Sequence, residues 1–139
     1  MKKALVIVLA VLALVGCKDQ MSQLSGTYSY KISGVATADG KEQLLTDEQG
    51  AMEIIRLNAD SALLTFNALA GAAYTTSATI AEKQITLLPY QRSILIGTTD
   101  YPVTASGAGT IYDGTIVIKL EYHGADLDAD DLTLLCKKN

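Results

Sequence analysis

Tyr112-Asp113-Gly114-Thr115-Ile116-Val117-Ile118-Lys119-Leu120-Glu121-Tyr122 reads as a turn followed by a strand. Ile116, Ile118, Leu120 and Tyr122 share one face at period two, while Thr115, Val117, Lys119 and Glu121 share the other. β-branched and aromatic residues in that alternation suit a pleated surface buried on one side. Asp-Gly between two β-rich runs is a hairpin signal, and a type I′ turn would need positive φ at both Asp113 and Gly114. The incoming partner is then Ser106–Tyr112, whose Gly107 and Gly109 suggest a bend or a bulge.

Working outward, the same period recurs along the chain. Gly26–Ile32 places Tyr28, Tyr30 and Ile32 on one face. Met52–Leu57 and Ala62–Phe66 flank a turn at Asn58–Ser61. Tyr74–Ile80 alternates, a turn near Glu82-Lys83 follows, and Ile85–Leu88, Ser93–Ile96, Tyr101–Thr104 and Leu132–Cys136 complete the set. Pro89 and Pro102 lack a backbone donor and belong at strand ends, edges or bulges. About eight or nine short strands separated by turn signals mark an all-β barrel or sandwich. The one long segment without strand character is Ala36–Gly50, where Thr46-Asp47-Glu48-Gln49 suits a single helical turn. The chain carries no internal repeat and no low-complexity tract.

The N-terminus has the anatomy of an export signal: Met1-Lys2-Lys3, then the apolar run Ala4–Val15, shorter than the roughly 20 residues of a membrane span and followed by small and polar residues. Leu14-Val15-Gly16-Cys17 resembles the lipobox of bacterial lipoprotein precursors. That resemblance implies that Cys17 is diacylglycerylated and becomes the new N-terminus, so the domain is held on a membrane by lipid. Lys18, where an Asp would favour inner-membrane retention, leans the expectation towards the outer membrane, on its periplasmic face or at the surface. The expected organisation is a signal peptide over 1–16, a lipidated Cys17 with a tether to residue 25, and a β domain over 26–139.

Removing the leader leaves 123 of 139 residues, one domain of ordinary size. Loss of Lys2 and Lys3 takes the formal charge from −4 to −6. That acidic balance disfavours nucleic acid as a partner. Of the two cysteines, a lipidated Cys17 is unavailable for a disulfide. Cys136, within Leu132–Cys136, is then a small buried hydrophobe with no visible His or Cys partner motif.

With its strands laid out, the chain resembles the calycin-like, lipocalin-like β-barrel lipoproteins of Gram-negative envelopes. The resemblance rests on Leu24-Ser25-Gly26-Thr27-Tyr28, on Ser106–Ile111 with the Asp113-Gly114 hairpin, and on a closing strand from Leu132 to Lys137. It spans most of residues 24–138. Lipocalins proper carry Gly-x-Trp on the first strand, whereas Gly26-Thr27-Tyr28 has Tyr and the chain has no Trp. The resemblance implies a single antiparallel up-and-down β-barrel of about eight strands, wide enough to be filled by side chains or to hold one small ligand. It also implies a long first loop over the barrel mouth, at Ala36–Gly50.

No catalytic or metal motif is present, and no cofactor is expected. His123, the one histidine, follows the strongest strand and has no nucleophile-elbow pattern to serve, so it reads as an exposed loop residue. Asp126, Asp128 and Asp130 form the densest acidic cluster. As a Ca²⁺ loop it fails, because Lys137 stands at the twelfth position, where a bidentate carboxylate belongs; it reads as a solvated loop between the last two strands. Of seven tyrosines, Tyr28, Tyr30, Tyr74, Tyr101 and Tyr122 fall on apolar faces, as core or as pocket lining. The small inward residues Ala78, Ala105, Gly107 and Gly109 either leave a cavity or let the walls approach.

The leading expectation is a non-enzymatic, membrane-anchored barrel that binds a small hydrophobic or amphipathic molecule, lined by Tyr28, Tyr30, Ile32, Ile116, Ile118, Leu120 and Tyr122. The alternative is a protein-interaction module, an envelope assembly factor, accessory subunit or inhibitor acting through loops or a sheet edge.

Overall fold

The computed structural model describes residues 24–46, 48–69 and 73–139. The leader, Cys17 and the tether up to residue 23 lie outside the described residues, as does Asp47 of the expected helical turn. Nine strands follow one another: β1 (Gly26–Ala38), β2 (Lys41–Leu45), β3 (Gln49–Asn58), β4 (Ser61–Ala68), β5 (Tyr74–Ala81), β6 (Gln84–Ile96), β7 (Thr99–Tyr112), β8 (Thr115–His123) and β9 (Leu127–Lys138). β1 pairs antiparallel with both β2 and β3, each strand from β3 to β8 pairs antiparallel with the next, and β9 returns to pair with β1 from Tyr28↔Lys138 to Ala38↔Leu127. β3 lines the lower half of β1 (Gly26–Lys31) and β2 its upper half (Gly34–Ala38). The two share one place in the ring, so the wall is a closed, eight-stranded, up-and-down barrel, compatible with a calycin-like fold. Closure pairs the β1 and β9 edges, which would otherwise be open templates for another strand.

The interior follows from alternation. Met52, Ile54, Leu64, Phe66, Ile116, Ile118, Leu120, Leu132, Leu134 and Cys136 are all buried. Each large apolar side chain removed from water in this way contributes about 1.5–3 kcal/mol before conformational entropy is counted. At the lower end Leu24 packs under the barrel, and the Tyr28 hydroxyl donates to its carbonyl at 2.7 Å. Ser25 Oγ accepts the Arg56 N–H at 3.1 Å. The last two residues of the expected tether are therefore seated on the barrel.

Four local expectations are corrected. The segment 36–50 is not a loop over the mouth: β1 runs on to Ala38 and turns into β2, a hairpin standing at the upper rim. Asp39 and Gly40 have φ of 50° and 76°, so the type I′ turn lies here. Asp113-Gly114 does form a hairpin, but only Gly114 has positive φ, so that turn is not type I′. The runs Ile85–Leu88 and Ser93–Ile96 are halves of one strand, β6, as Tyr101–Thr104 and Ser106–Tyr112 are of β7. The acidic cluster is mostly strand: Asp128 and Asp130 lie in β9, on its outward face.

Pro89 sits at a bulge in β6, and Pro102 lies where β7 has run past the end of β8, both as the missing donor requires. Gly107 and Gly109 serve close approach. A Cβ on Gly107 would stand 2.6 Å from Lys119 O, and one on Gly109 would run into Val117 O.

Candidate functional site

The site begins with an interruption in the wall. The β5–β6 ladder runs only from Ala81↔Gln84 to Ala78↔Leu87. Above it, β6 continues beside β7 alone. The Thr76 hydroxyl donates to Leu88 O at 3.2 Å, a side-chain bond where the backbone ladder has stopped. Opposite β7, Leu87 pairs with Gly107 and Tyr90 with Ala105, so Leu88 and Pro89 face the single residue Ser106. This β-bulge shifts the alternation by one. Below it Ile85 and Leu87 point inward; above it Tyr90, Arg92 and Ile94 do. The bulge is thus what turns an arginine into the barrel.

Arg92 meets Glu48, the residue just before β3, in a two-pronged ion pair. Nη1 donates to Oε2 at 2.9 Å, and Nη2 makes a short contact with Oε1. Their side chains are only 10% and 21% exposed. Nη1 also donates to Tyr74 Oη at 2.7 Å and to Tyr122 Oη at 3.3 Å, and Tyr74 Oη donates to Glu48 Oε2 at 2.7 Å. The guanidinium carbon stands 4.2 Å above the centre of the Tyr74 ring. Phe66, Tyr74 and Tyr90 stack in series at centroid distances of 4.8 and 5.8 Å, and Tyr30 meets Phe66 edge-on at 5.0 Å.

The cluster is incompletely satisfied. Tyr30 Oη, Tyr90 Oη and Arg92 Nε are buried and reach no partner in hydrogen-bond geometry among the described residues, with Tyr74 the polar neighbour of Tyr30 and Arg92 that of Tyr90. Natural interiors leave few such groups, because each forfeits its hydration without compensation. Burial and the Glu48 charge push the Tyr30 hydroxyl up to about 12. Burial does the same for Tyr90, to about 12. Burial also raises Tyr74 and Tyr122. For Arg92, burial opposes the charge, but the bonds to Glu48 and the neighbouring tyrosines outweigh it and hold the pKa above its ordinary value. The site therefore presents a fixed cation, one carboxylate and four neutral phenols. Its one cation is paired with its one carboxylate, and the phenols surround that pair.

Of the lining residues expected from sequence, Tyr30 and Tyr122 belong to this cluster. Ile32, Ile116, Ile118 and Leu120 are buried in the apolar interior. Tyr28 lies at the opposite end, on a half-open cleft of about 550 Å³ that also touches Leu24, Ile80, Ile111 and Lys138. A second cleft, about 420 Å³, runs past Arg92, Ser93, Val103, Thr104 and His123 on the outer side of the upper wall. His123 ends β8 rather than standing in a loop, and its side chain is exposed. Its ring nitrogens face Glu121 at 3.4 Å and Asp128 at 3.5 Å, which raise its pKa. Asp126, Asp128 and Asp130 do not gather with other ligand types into a metal-binding group among the described residues. Cys136 is buried and free, its thiol raised by burial to about 12, with Met52 Sδ at 3.8 Å.

Arg92, Glu48 and Tyr90 escaped the reading of the sequence. The signal that finds two of them is a phase change across a proline. Apolar positions 85 and 87 are odd, positions 90, 94 and 96 are even, and Pro89 stands between. A bulge there places Arg92 on the inward face. Among the described residues no helix is long and apolar enough to cross a membrane. No family model, no curated protein and no solved structure matches this chain.

Proposed function

We propose that this chain is a non-enzymatic, membrane-anchored envelope lipoprotein of the calycin-like kind, whose barrel binds a small hydrophobic or amphipathic molecule with its polar end at Arg92. The observation that carries the reading is the unsaturated cluster: a buried arginine ringed by four tyrosines, with three polar atoms unpartnered. A buried arginine with its charge on one side and an aromatic stack on the other suits a ligand with a polar head and an apolar body. The surroundings agree. Val35, Leu44, Leu69 and Leu95, all on strands or turns of the upper end, are exposed, and Leu69 N donates to Gln49 O beside Glu48. An apolar rim of that kind favours entry of an apolar tail. The leader pattern and Cys17 support the anchor.

The test is native mass spectrometry of the mature protein purified from its own envelope with minimal washing. The reading expects a bound mass that leaves on denaturation, and an N-terminus heavier by a diacylglyceryl group. A clean unliganded mass, with no shift on adding fatty acids or sterol-like probes, removes the ligand half. An unmodified Cys17 removes the anchor.

One observation favours the interaction module as a second reading. β2 pairs with β1 alone, and its other edge is open among the described residues, with Leu44 exposed beside it. A strand could be added there. Crosslinking in native membranes should then capture a partner that is lost when Leu44 is replaced by Lys.

A further inference from the structure

We infer that the polar end recognised at Arg92 is a carboxylate, and that Glu48 is an internal stand-in for it which the ligand must displace. This rests on the ligand-binding reading above and names its chemistry. The guanidinium fork already grips a carboxylate through both Nη atoms, the planar two-point geometry that distinguishes carboxylate from a hydroxyl or an ammonium. That carboxylate comes from the chain itself and is more exposed than the guanidinium it pairs with, on the side from which a molecule entering at the upper end would arrive.

The swap needs little rearrangement. The Glu48 carbonyl is tied down, accepting the Ile32 N–H at 2.9 Å, so its side chain can swing out while the strand start stays in place. The leaving carboxylate moves towards water, and the entering one takes the same two Nη donors and the Tyr74 hydroxyl. Tyr30 Oη, Tyr90 Oη and Arg92 Nε, buried and unpartnered while Glu48 is in place, are the donors that a ligand can use and Glu48 does not. The aromatic series Phe66–Tyr74–Tyr90 lies directly beside the fork. With Glu48 occupying the fork, apparent affinity is reduced by the fraction of molecules in which it is seated. Removing its charge should therefore tighten binding rather than weaken it, the opposite of what a ligand contact would do.

The experiment is titration calorimetry of the full chain, produced with its own leader, against dodecanoate, dodecanol and dodecyltrimethylammonium. Dodecanoate should bind and the other two should bind at least about tenfold more weakly. Glu48→Gln should tighten dodecanoate at least about tenfold and by a larger factor than it tightens dodecanol. Arg92→Lys, which keeps the charge but loses the fork, should erase the preference for dodecanoate; circular dichroism confirms that each variant remains a folded barrel. Equal binding of dodecanol and dodecanoate, or a Glu48→Gln variant no tighter than the parent, overturns the carboxylate assignment while leaving an amphiphile site standing. No binding of any probe to the parent or to Glu48→Gln, together with a clean native mass, overturns the ligand-binding reading itself.

Discussion

The lower and upper halves of this barrel are built on one alternation and use it differently. Below the β6 bulge the inward positions are mostly Ile, Leu and Met, close-packed, and the one phenol there, Tyr28, is satisfied by Leu24 O. Above it they are Tyr90, Arg92 and Ile94, facing Tyr74, Tyr122 and Glu48, where every polar atom must be accounted for. The lower half is insensitive to the identity of its residues as long as volume is kept. The upper half depends on a particular set of donors, acceptors and charges. The difference teaches that a single extra residue in β6 divides a half held by apolar packing from a half held by particular hydrogen bonds and an ion pair.

Deleting Pro89 attacks the division itself. With one residue fewer, either the upper or the lower half of β6 must turn its inward side chains to solvent. We expect Arg92 and Ile94 to be the ones expelled, leaving Glu48 without its partner. The loss should be at least the about 3–5 kcal/mol of a broken buried pair, read as a fall in the urea midpoint. A deletion that costs less than about 1 kcal/mol would show that the bulge does not set the phase.

Leu120→Ala tests the lower half alone. Leu120 is fully buried opposite Leu132, so truncation should cost about 2–5 kcal/mol through lost transfer energy and the cavity left behind. Since its side chain makes no hydrogen bond to the polar cluster, it should leave the dodecanoate preference intact. A change in that preference would mean that the halves are coupled.

One substitution should have opposite signs at the two ends. Tyr28 donates to Leu24 O, so Tyr28→Phe loses a satisfied bond and should destabilise by about 1 kcal/mol. Tyr30 Oη has no partner, so Tyr30→Phe removes a buried, unsatisfied hydroxyl and should be neutral or stabilising by up to about 1 kcal/mol. If the same change weakens dodecanoate binding, the hydroxyl is kept for the ligand at a cost to the fold. The pair sharpens further with pH. Tyr30 and Tyr90 have pKa values raised to about 12, so the native barrel holds protons that the unfolded chain releases above its ordinary tyrosine pKa near 10. Stability should therefore fall as pH rises from about 10 to 12, and a Tyr30→Phe, Tyr90→Phe double variant should fall less over that window.

The same contrast governs what the sequence disclosed. The β8 face Ile116–Tyr122 and the Asp113-Gly114 hairpin were legible because a period of two survives unbroken there. So was the barrel, given enough such runs. β2 was illegible: Lys41-Glu42-Gln43 has low β propensity, and its strand character comes from pairing with β1. Arg92 was hidden because an isolated charge between Gln91 and Ser93 reads as surface unless the bulge at Pro89 is counted first. Glu48 carried no local signal, since its role is set by a residue 44 positions away in sequence.

The smallest effect belongs to His123, which stands outside the comparison and serves as its control. Its ring, exposed at the end of β8, faces the Glu121 and Asp128 carboxylates, which raise its pKa above 6.5. A raised pKa means that the folded chain binds the proton more tightly, so the contribution is fully present below pH 6.5 and disappears as pH rises through the folded value. His123→Gln should match the parent at pH 8 and fall slightly below it at pH 5.5 in urea melts, with no change in dodecanoate affinity at either pH. Because exposed pairs are screened, that small deficit should shrink further in high salt. A His123→Gln variant that instead loses ligand binding would move the recognition chemistry out of the barrel and into the outer cleft beside Ser93 and Thr104, and the division between a selective upper interior and a structural lower one would no longer hold.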